Sequence, residues 1–294
     1  MPVPSFPNET EARHEEGFLN SADHLRLYWQ RYTPKVEPRA TVAVLHGGGD
    51  HSGRYPGITA ALVRNGFQVA LLDFRGHGQS DGRRWHVDAF GDYVSDLDAF
   101  VAKLSQDGVA NEQLFVVAHS MGALIATEWG LSRGDHVSGF VFSSPYFALA
   151  QRPPLLKLLA AKTIGRAVPW LPVKVPFGEE DLTTDADHVR WTERDPLYGH
   201  ATTPGWHAES TRAQEDVQRR AREWRAPLLV LAAGDDRLAN AAVARTFVEQ
   251  ASAADKGFRV YEGFRHEIFN EAGRDRPVGE AISWLSQRCR PTAG

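Results

Sequence analysis

The stretch from Leu114 to Trp129 constrains this chain more than any other. Leu114 to Ala118 is a short apolar run, as expected of a strand buried on both faces. It stops at His119-Ser120-Met121-Gly122, and Ala123 to Trp129 then reads as a helix. A buried strand that feeds directly into a helix predicts a parallel sheet with helical crossovers. The serine at the joint sits on a sharp turn, clear of the sheet, beside helix N–H groups that favour negative charge. Small neighbours let the strand and helix backbones approach closely. The pattern is Gly-x-Ser-x-Gly with Ala118 at the first glycine position, a departure of one methyl group. Alone, such a serine is a turn residue. It becomes a nucleophile only with a base, an acid and oxyanion donors elsewhere in the chain.

In chain order, residues 1 to 11 read as a loose arm, and the runs 15–18 and 25–32 as an N-terminal hairpin across Asn20-Ser21-Ala22-Asp23. Ala40 to Leu45 is β-branched and apolar, the signature of a buried strand, and ends in His46-Gly47-Gly48-Gly49. A helix over 57–65 and a strand from Phe67 to Asp73 follow, then the tight loop from Arg75 to Gly82. Phe90 to Leu104 is amphipathic, with Val94, Leu97, Val101 and Leu104 at helical spacing. Val137 to Ser143 is a further strand. From Pro145 to Arg225 the alternation fails, and only the stretches 155–168 and 210–224 look helical. The pattern resumes with a strand from Leu228 to Ala233, a helix from Ala241 to Gln250, a strand from Phe258 to Tyr261 and a helix from Val278 to Arg288. The expected fold class is α/β, a mostly parallel sheet with helices on both faces. Residues 1–144 and 226–294 form its core, and 145–225 is a cap folded over it.

Composition narrows the function. Hydrophobic residues make up 42% and charged residues 24%, as in ordinary globular proteins, and the net charge of −4 gives no reason to expect a nucleic-acid partner. The single cysteine, Cys289, forbids an internal disulfide. The N-terminus lacks the basic start and apolar core of a signal peptide, so a cytoplasmic location is expected. No apolar run approaches the roughly 18 residues of a membrane span.

Ligands of such sheets bind beyond the carboxyl ends of the strands, and the remaining chemistry-bearing residues fall there. His266 follows the last strand, and Asp235 and Asp236 follow the strand before it, giving the order Ser, Asp, His. A hydroxyl is a poor nucleophile at neutral pH and needs a base, here His266, which in turn needs a carboxylate to fix its tautomer. Either Asp235 or Asp236 could serve, since one residue changes where the side chain points. The oxyanion donors expected are the N–H of Met121 and, in the glycine loop, that of Gly48. His77 and His119 read as structural, and Asp73 as ordering the His77 loop. Gly47-Gly48-Gly49 is no phosphate cradle, because no Walker-type Lys-Ser/Thr follows. No His, Cys or carboxylate cluster has metal-ligand spacing, and no metal is expected.

These residues resemble the monoglyceride lipase and lysophospholipase branch of the α/β-hydrolases. The run from His46 to Tyr55 is similar to the family's HGxGEHSGRY, with Asp50 in place of Glu. Asp73 to Gly82 is similar to D-x-x-G-H-G-x-S-x-G, and Ser144-Pro145, Asp195-Pro196-Leu197 and Tyr261-Glu262-Gly263 with His266 extend the likeness over residues 15 to 288. The run Asp236-Arg237-Leu238 matches the family's acid and selects Asp236 over Asp235. The resemblance implies a cofactor-free serine hydrolase acting on single-chain acyl esters, monoacylglycerol or lysophospholipid, through an acyl-enzyme. A general short-chain carboxylesterase is the alternative within enzymes, and a non-catalytic small-ligand-binding protein on the same fold is the alternative of another class. The segment around Leu155, Leu156, Leu158, Leu159, Ile164, Val168, Trp170 and Leu171, interspersed with Lys157, Lys162 and Arg166, fits either transient contact of the cap with a membrane surface or a cap helix packed on the body or on a second subunit.

Overall fold

The computed structural model describes residues 3–150 and 167–289. Strands β1 (Ala12–Asn20) and β2 (Arg26–Pro34) form the N-terminal antiparallel hairpin. Then come β3 (Thr41–Leu45), α1 (Pro56–Arg64), β4 (Gln68–Leu72), α2 (Gly91–Gln106), β5 (Leu114–His119), α3 (Met121–Arg133) and β6 (Gly139–Ser143). After the insertion come β9 (Leu228–Ala233), α6 (Ala241–Gln250), β10 (Lys256–Tyr261) and α7 (Asp275–Ser286). The eight strands join in the order β1-β2-β4-β3-β5-β6-β9-β10, antiparallel only at the β1–β2 and β2–β4 pairings. This is the expected α/β architecture.

Side chains alternate across the sheet, and that alternation builds two cores. On β5, Val116 and Ala118 join α2, α3 and α6 on one face. Phe115 and Val117 join α1 and α7 on the other. All six residues of β5 are buried, which accounts for its unbroken apolar run. Each such Val or Phe contributes about 1.5–3 kcal/mol by leaving water.

Between β6 and β9 the described part of the insertion holds two short strands, β7 (Val173–Lys174) and β8 (Ala201–Thr202), and two helices, α4 (Ala186–Glu193) and α5 (Pro204–Arg219). The expected helix at 155–168 falls almost wholly outside the described residues. The one expected at 210–224 begins six residues earlier, because Thr203 caps it by accepting from the Trp206 N–H and Pro204 occupies its first turn. It ends at Arg219, ahead of a separate 3-10 turn over Ala221–Glu223. The short helix α4 went unforeseen. Asp185 starts it by accepting from the Asp187 and His188 N–H groups. Trp206, Ala213 and Val217 of α5 are buried in the same core as β5 and α3, so this part of the insertion shares the body's core.

Candidate active site

Ser120 stands between β5 and α3 with φ 50° and ψ −114°, a conformation that side-chain-bearing residues rarely adopt. The joint is tied on both sides. The Ser120 N–H donates to the Ser143 carbonyl at 3.0 Å, and its carbonyl accepts from the Tyr146 N–H at 3.1 Å. Gly122 is required by close approach, since a methyl there would lie 2.5 Å from the His46 carbonyl oxygen at the end of β3. The constraint that the sequence pattern implied is therefore a backbone contact between the first turn of α3 and the glycine loop.

His266, in the loop after β10, places Nε2 2.8 Å from Ser120 Oγ and Nδ1 2.8 Å from Asp236 Oδ2. Asp236 Oδ1 accepts from the N–H groups of Leu238 and Ala239, both at 2.8 Å, so its carboxylate is held at both oxygens. Asp235 is exposed, and its N–H donates to the Phe264 carbonyl at 2.9 Å. The geometry thus separates the two aspartates that the residues alone left open. Burial pulls the His266 imidazole down, but the charge and hydrogen bond of Asp236 outweigh it, with Glu267 and Asp50 adding, and the net pKa is raised. Burial pushes Asp236 up, yet the charge of His266 and three hydrogen bonds leave it below the usual carboxylate value.

The glycine loop lies against the serine. A methyl on Gly47 would lie 3.3 Å from Ser120 Cβ. The Gly47 N–H is taken by the Tyr55 hydroxyl at 3.3 Å, whereas the N–H groups of Gly48 and Met121 donate to nothing among the described residues. All five residues expected at the site, Ser120, Asp236, His266, Gly48 and Met121, thus fall at one end of the sheet. His119 packs beside His266 at 4.7 Å between ring centroids, and burial lowers its pKa to about 4, so it stays neutral. Asp73 accepts from the N–H of Ser52 at 2.7 Å and of Gln79 at 2.8 Å, ordering the loops after β3 and β4 together.

One group of residues escaped the sequence reading. Arg54 is wholly buried and pairs with Asp50 Oδ1 at 2.7 Å and with Glu267 Oε2 at 3.2 Å. His188 of α4 approaches the same Glu267 oxygen at 3.4 Å. Burial raises the Glu267 carboxyl, but the Arg54 charge overrides it and holds the group well below its ordinary value. The network joins the glycine loop, the His266 loop and the insertion. Asp50 and Arg54 lie within a recognised run and Glu267 next to one, whereas His188 lies in none, and pairing between distant charges has no local signal. Among the described residues, no group of three His, Cys, Asp or Glu side chains could hold a metal ion.

Comparison with known proteins identifies the family. Residues 36–273 match the family described as serine aminopeptidase, S33. Human monoglyceride lipase is 31% identical over 100% of this chain and 98% of its own length. The monoacylglycerol lipase of Mycolicibacterium smegmatis is 29% identical over 94% of this chain and 98% of its own. The crystal structure of Paleococcus ferrophilus monoacylglycerol lipase superposes with a TM-score of 0.78 at 25% identity, covering 95% of this chain and 99% of that one. The chain belongs to the serine aminopeptidase S33 family of α/β-hydrolases and is monoglyceride lipase-like within it.

Proposed function

We propose that this protein is a serine carboxylic-ester hydrolase acting on single-chain acyl lipids, monoacylglycerol or lysophospholipid, with Ser120, His266 and Asp236 as its catalytic residues. The observation that carries the reading is His266 held 2.8 Å from both the serine hydroxyl and the aspartate carboxylate. That is within reach for proton transfer. His266 Nε2 takes the Ser120 proton as Oγ bonds to the acyl carbon. The carbonyl electron pair moves onto oxygen, where the N–H groups of Gly48 and Met121 stabilise it. The oxyanion collapses, the ester C–O bond breaks, and His266 returns the proton to the leaving glycerol or glycerophospho group. Water then attacks the acyl-enzyme with His266 again as base, releasing the fatty acid and restoring Ser120. Asp236 holds the imidazole and stabilises its protonated form. Side chains and water account for every proton.

Residues 145–225 serve in this reading as the cap that shapes the acyl site, packed on α3 through α5. Trp170, Leu171 and Val173, about half exposed, favour transient contact of the cap with a lipid surface, where such a substrate resides. Flotation with anionic liposomes at low salt tests this contact, and absence of co-migration removes it. No described helix is long and apolar enough to cross a membrane. A cytoplasmic site of action fits the single free cysteine.

The substrate class is tested by kcat/KM over a chain-length series of p-nitrophenyl esters, beside monoacylglycerol and lysophosphatidylcholine. Rising kcat/KM with acyl length and turnover of at least one lipid are expected. Strict preference for acetate would instead indicate a short-chain carboxylesterase, and no turnover of any ester a non-catalytic binder.

A further inference from the structure

Trp85 combines several features that packing alone does not require. Its backbone lies in the left-handed region at φ 42°, strained for so bulky a residue, yet its side chain is buried. The strained peptide is fixed by its N–H, which donates to the Gly76 carbonyl at 3.1 Å. The indole lies on the glycine loop. A methyl on Gly48 would come within 2.8 Å of its Cζ2, and one on Gly49 within 2.5 Å of its Cζ3. From the other side Trp206 of α5 meets it edge-on at 5.5 Å, and the Gly199 N–H donates to the Gly49 carbonyl at 2.7 Å. The indole N–H finds no acceptor among the described residues, so shape rather than a hydrogen bond holds the ring. The ring therefore occupies the space that a side chain at position 48 would need, wedged between the loop and the insertion.

We propose that Trp85 is a positioning residue for the reaction. Its indole and the bare Cα of Gly48 form a size-matched pair that fixes the glycine loop, and with it the Gly48 N–H, beside Ser120. The inference rests on the reading of Gly48 as an oxyanion donor. A donor displaced by a fraction of an ångström loses part of its hold on the transition state while substrate still binds.

The test is a double-mutant cycle of Gly48→Ala, Trp85→Met and the pair, reading kcat, KM and Tm with a p-nitrophenyl ester. Complete loss of an oxyanion donor costs on the order of 10²- to 10³-fold in kcat. Each single change displaces one, and should lower kcat by about tenfold or more with KM nearly unchanged. The methyl of Gly48→Ala has room once the indole is gone. It should therefore cost at least about tenfold less on Trp85→Met than on the wild type, since contacting residues couple. Trp85→Phe should recover most of the kcat lost in Trp85→Met, and Trp85→Leu replaces Trp85→Met in the cycle if that variant does not fold. Costs that multiply independently, or a Trp85→Met variant with lowered Tm and unchanged kcat, would overturn the positioning role. An inactive wild type would overturn the esterase reading itself, which separates the two failures.

Discussion

The Nε2 of His266 lies 2.8 Å from the Oγ of Ser120, although 146 residues separate them in sequence. The strands that deliver them, β5 and β10, are not neighbours, for β6 and β9 lie between. The loops after β9 and β10 are joined where the Gly234 N–H donates to the Tyr261 carbonyl at 2.9 Å and Asp235 N–H to Phe264 at 2.9 Å. That junction lets the His266 loop reach back across the sheet with Asp236 at the ring's Nδ1. The same junction fixes which aspartate faces inward.

Asp236→Asn and Asp235→Asn should therefore differ sharply. The first removes the carboxylate that sets the His266 tautomer, and kcat should fall by about 10⁴-fold, as when such an orienting acid is neutralised elsewhere. The second alters an exposed side chain and should leave kcat within about twofold. Steady-state kinetics on one ester, with Tm recorded for both variants, checks the pair. Equal losses would remove Asp236 from the assigned role.

Much of this was legible in the sequence, for identifiable reasons. The run Leu114 to Ala118 and the turn at Ser120 are local, so strand, joint and helix could be read directly. The order Ser, Asp, His needs only the strand ends. The choice between Asp235 and Asp236 depended on backbone direction after β9, which residues alone do not encode, and the family-like run through Leu238 supplied it. Helix α4 was invisible because its eight residues carry no apolar stripe, and its buried positions include His188 and Thr192. The Arg54–Glu267 pair and the left-handed Trp85 are tertiary facts, and nothing near either residue announces them.

Glu267→Gln should move the acid limb of kcat/KM to lower pH. His266 must be neutral to accept the Ser120 proton, so activity is lost as pH falls through its pKa. That pKa is set by burial, which lowers it, and by Asp236, Glu267 and Asp50, which raise it, with neutral His119 alongside. Removing one negative charge, and leaving Arg54 less compensated, both disfavour the imidazolium. A downward shift of that limb is expected in a pH profile of kcat/KM. An unchanged or upward-shifted limb would contradict this account of the site's electrostatics.

The strained backbone of Ser120 should be visible in stability. At φ 50° a Cβ is unfavourable, whereas glycine tolerates such angles. Ser120→Gly should be more stable than Ser120→Ala by about 1 kcal/mol, the relieved strain exceeding the glycine's extra unfolded-state entropy. Denaturant unfolding of the two variants gives the difference. A less stable glycine variant would show that the joint is relaxed.

The proposed reaction turns on acylation of Ser120. It is tested most directly by treating wild type and Ser120→Ala with a fluorophosphonate, locating the adduct by peptide mass spectrometry, and measuring monoacylglycerol turnover in parallel. One adduct is expected, on Ser120 of the wild type alone, with a loss of kcat on the order of 10⁶-fold in the variant. An adduct elsewhere, or turnover retained by Ser120→Ala, would contradict it.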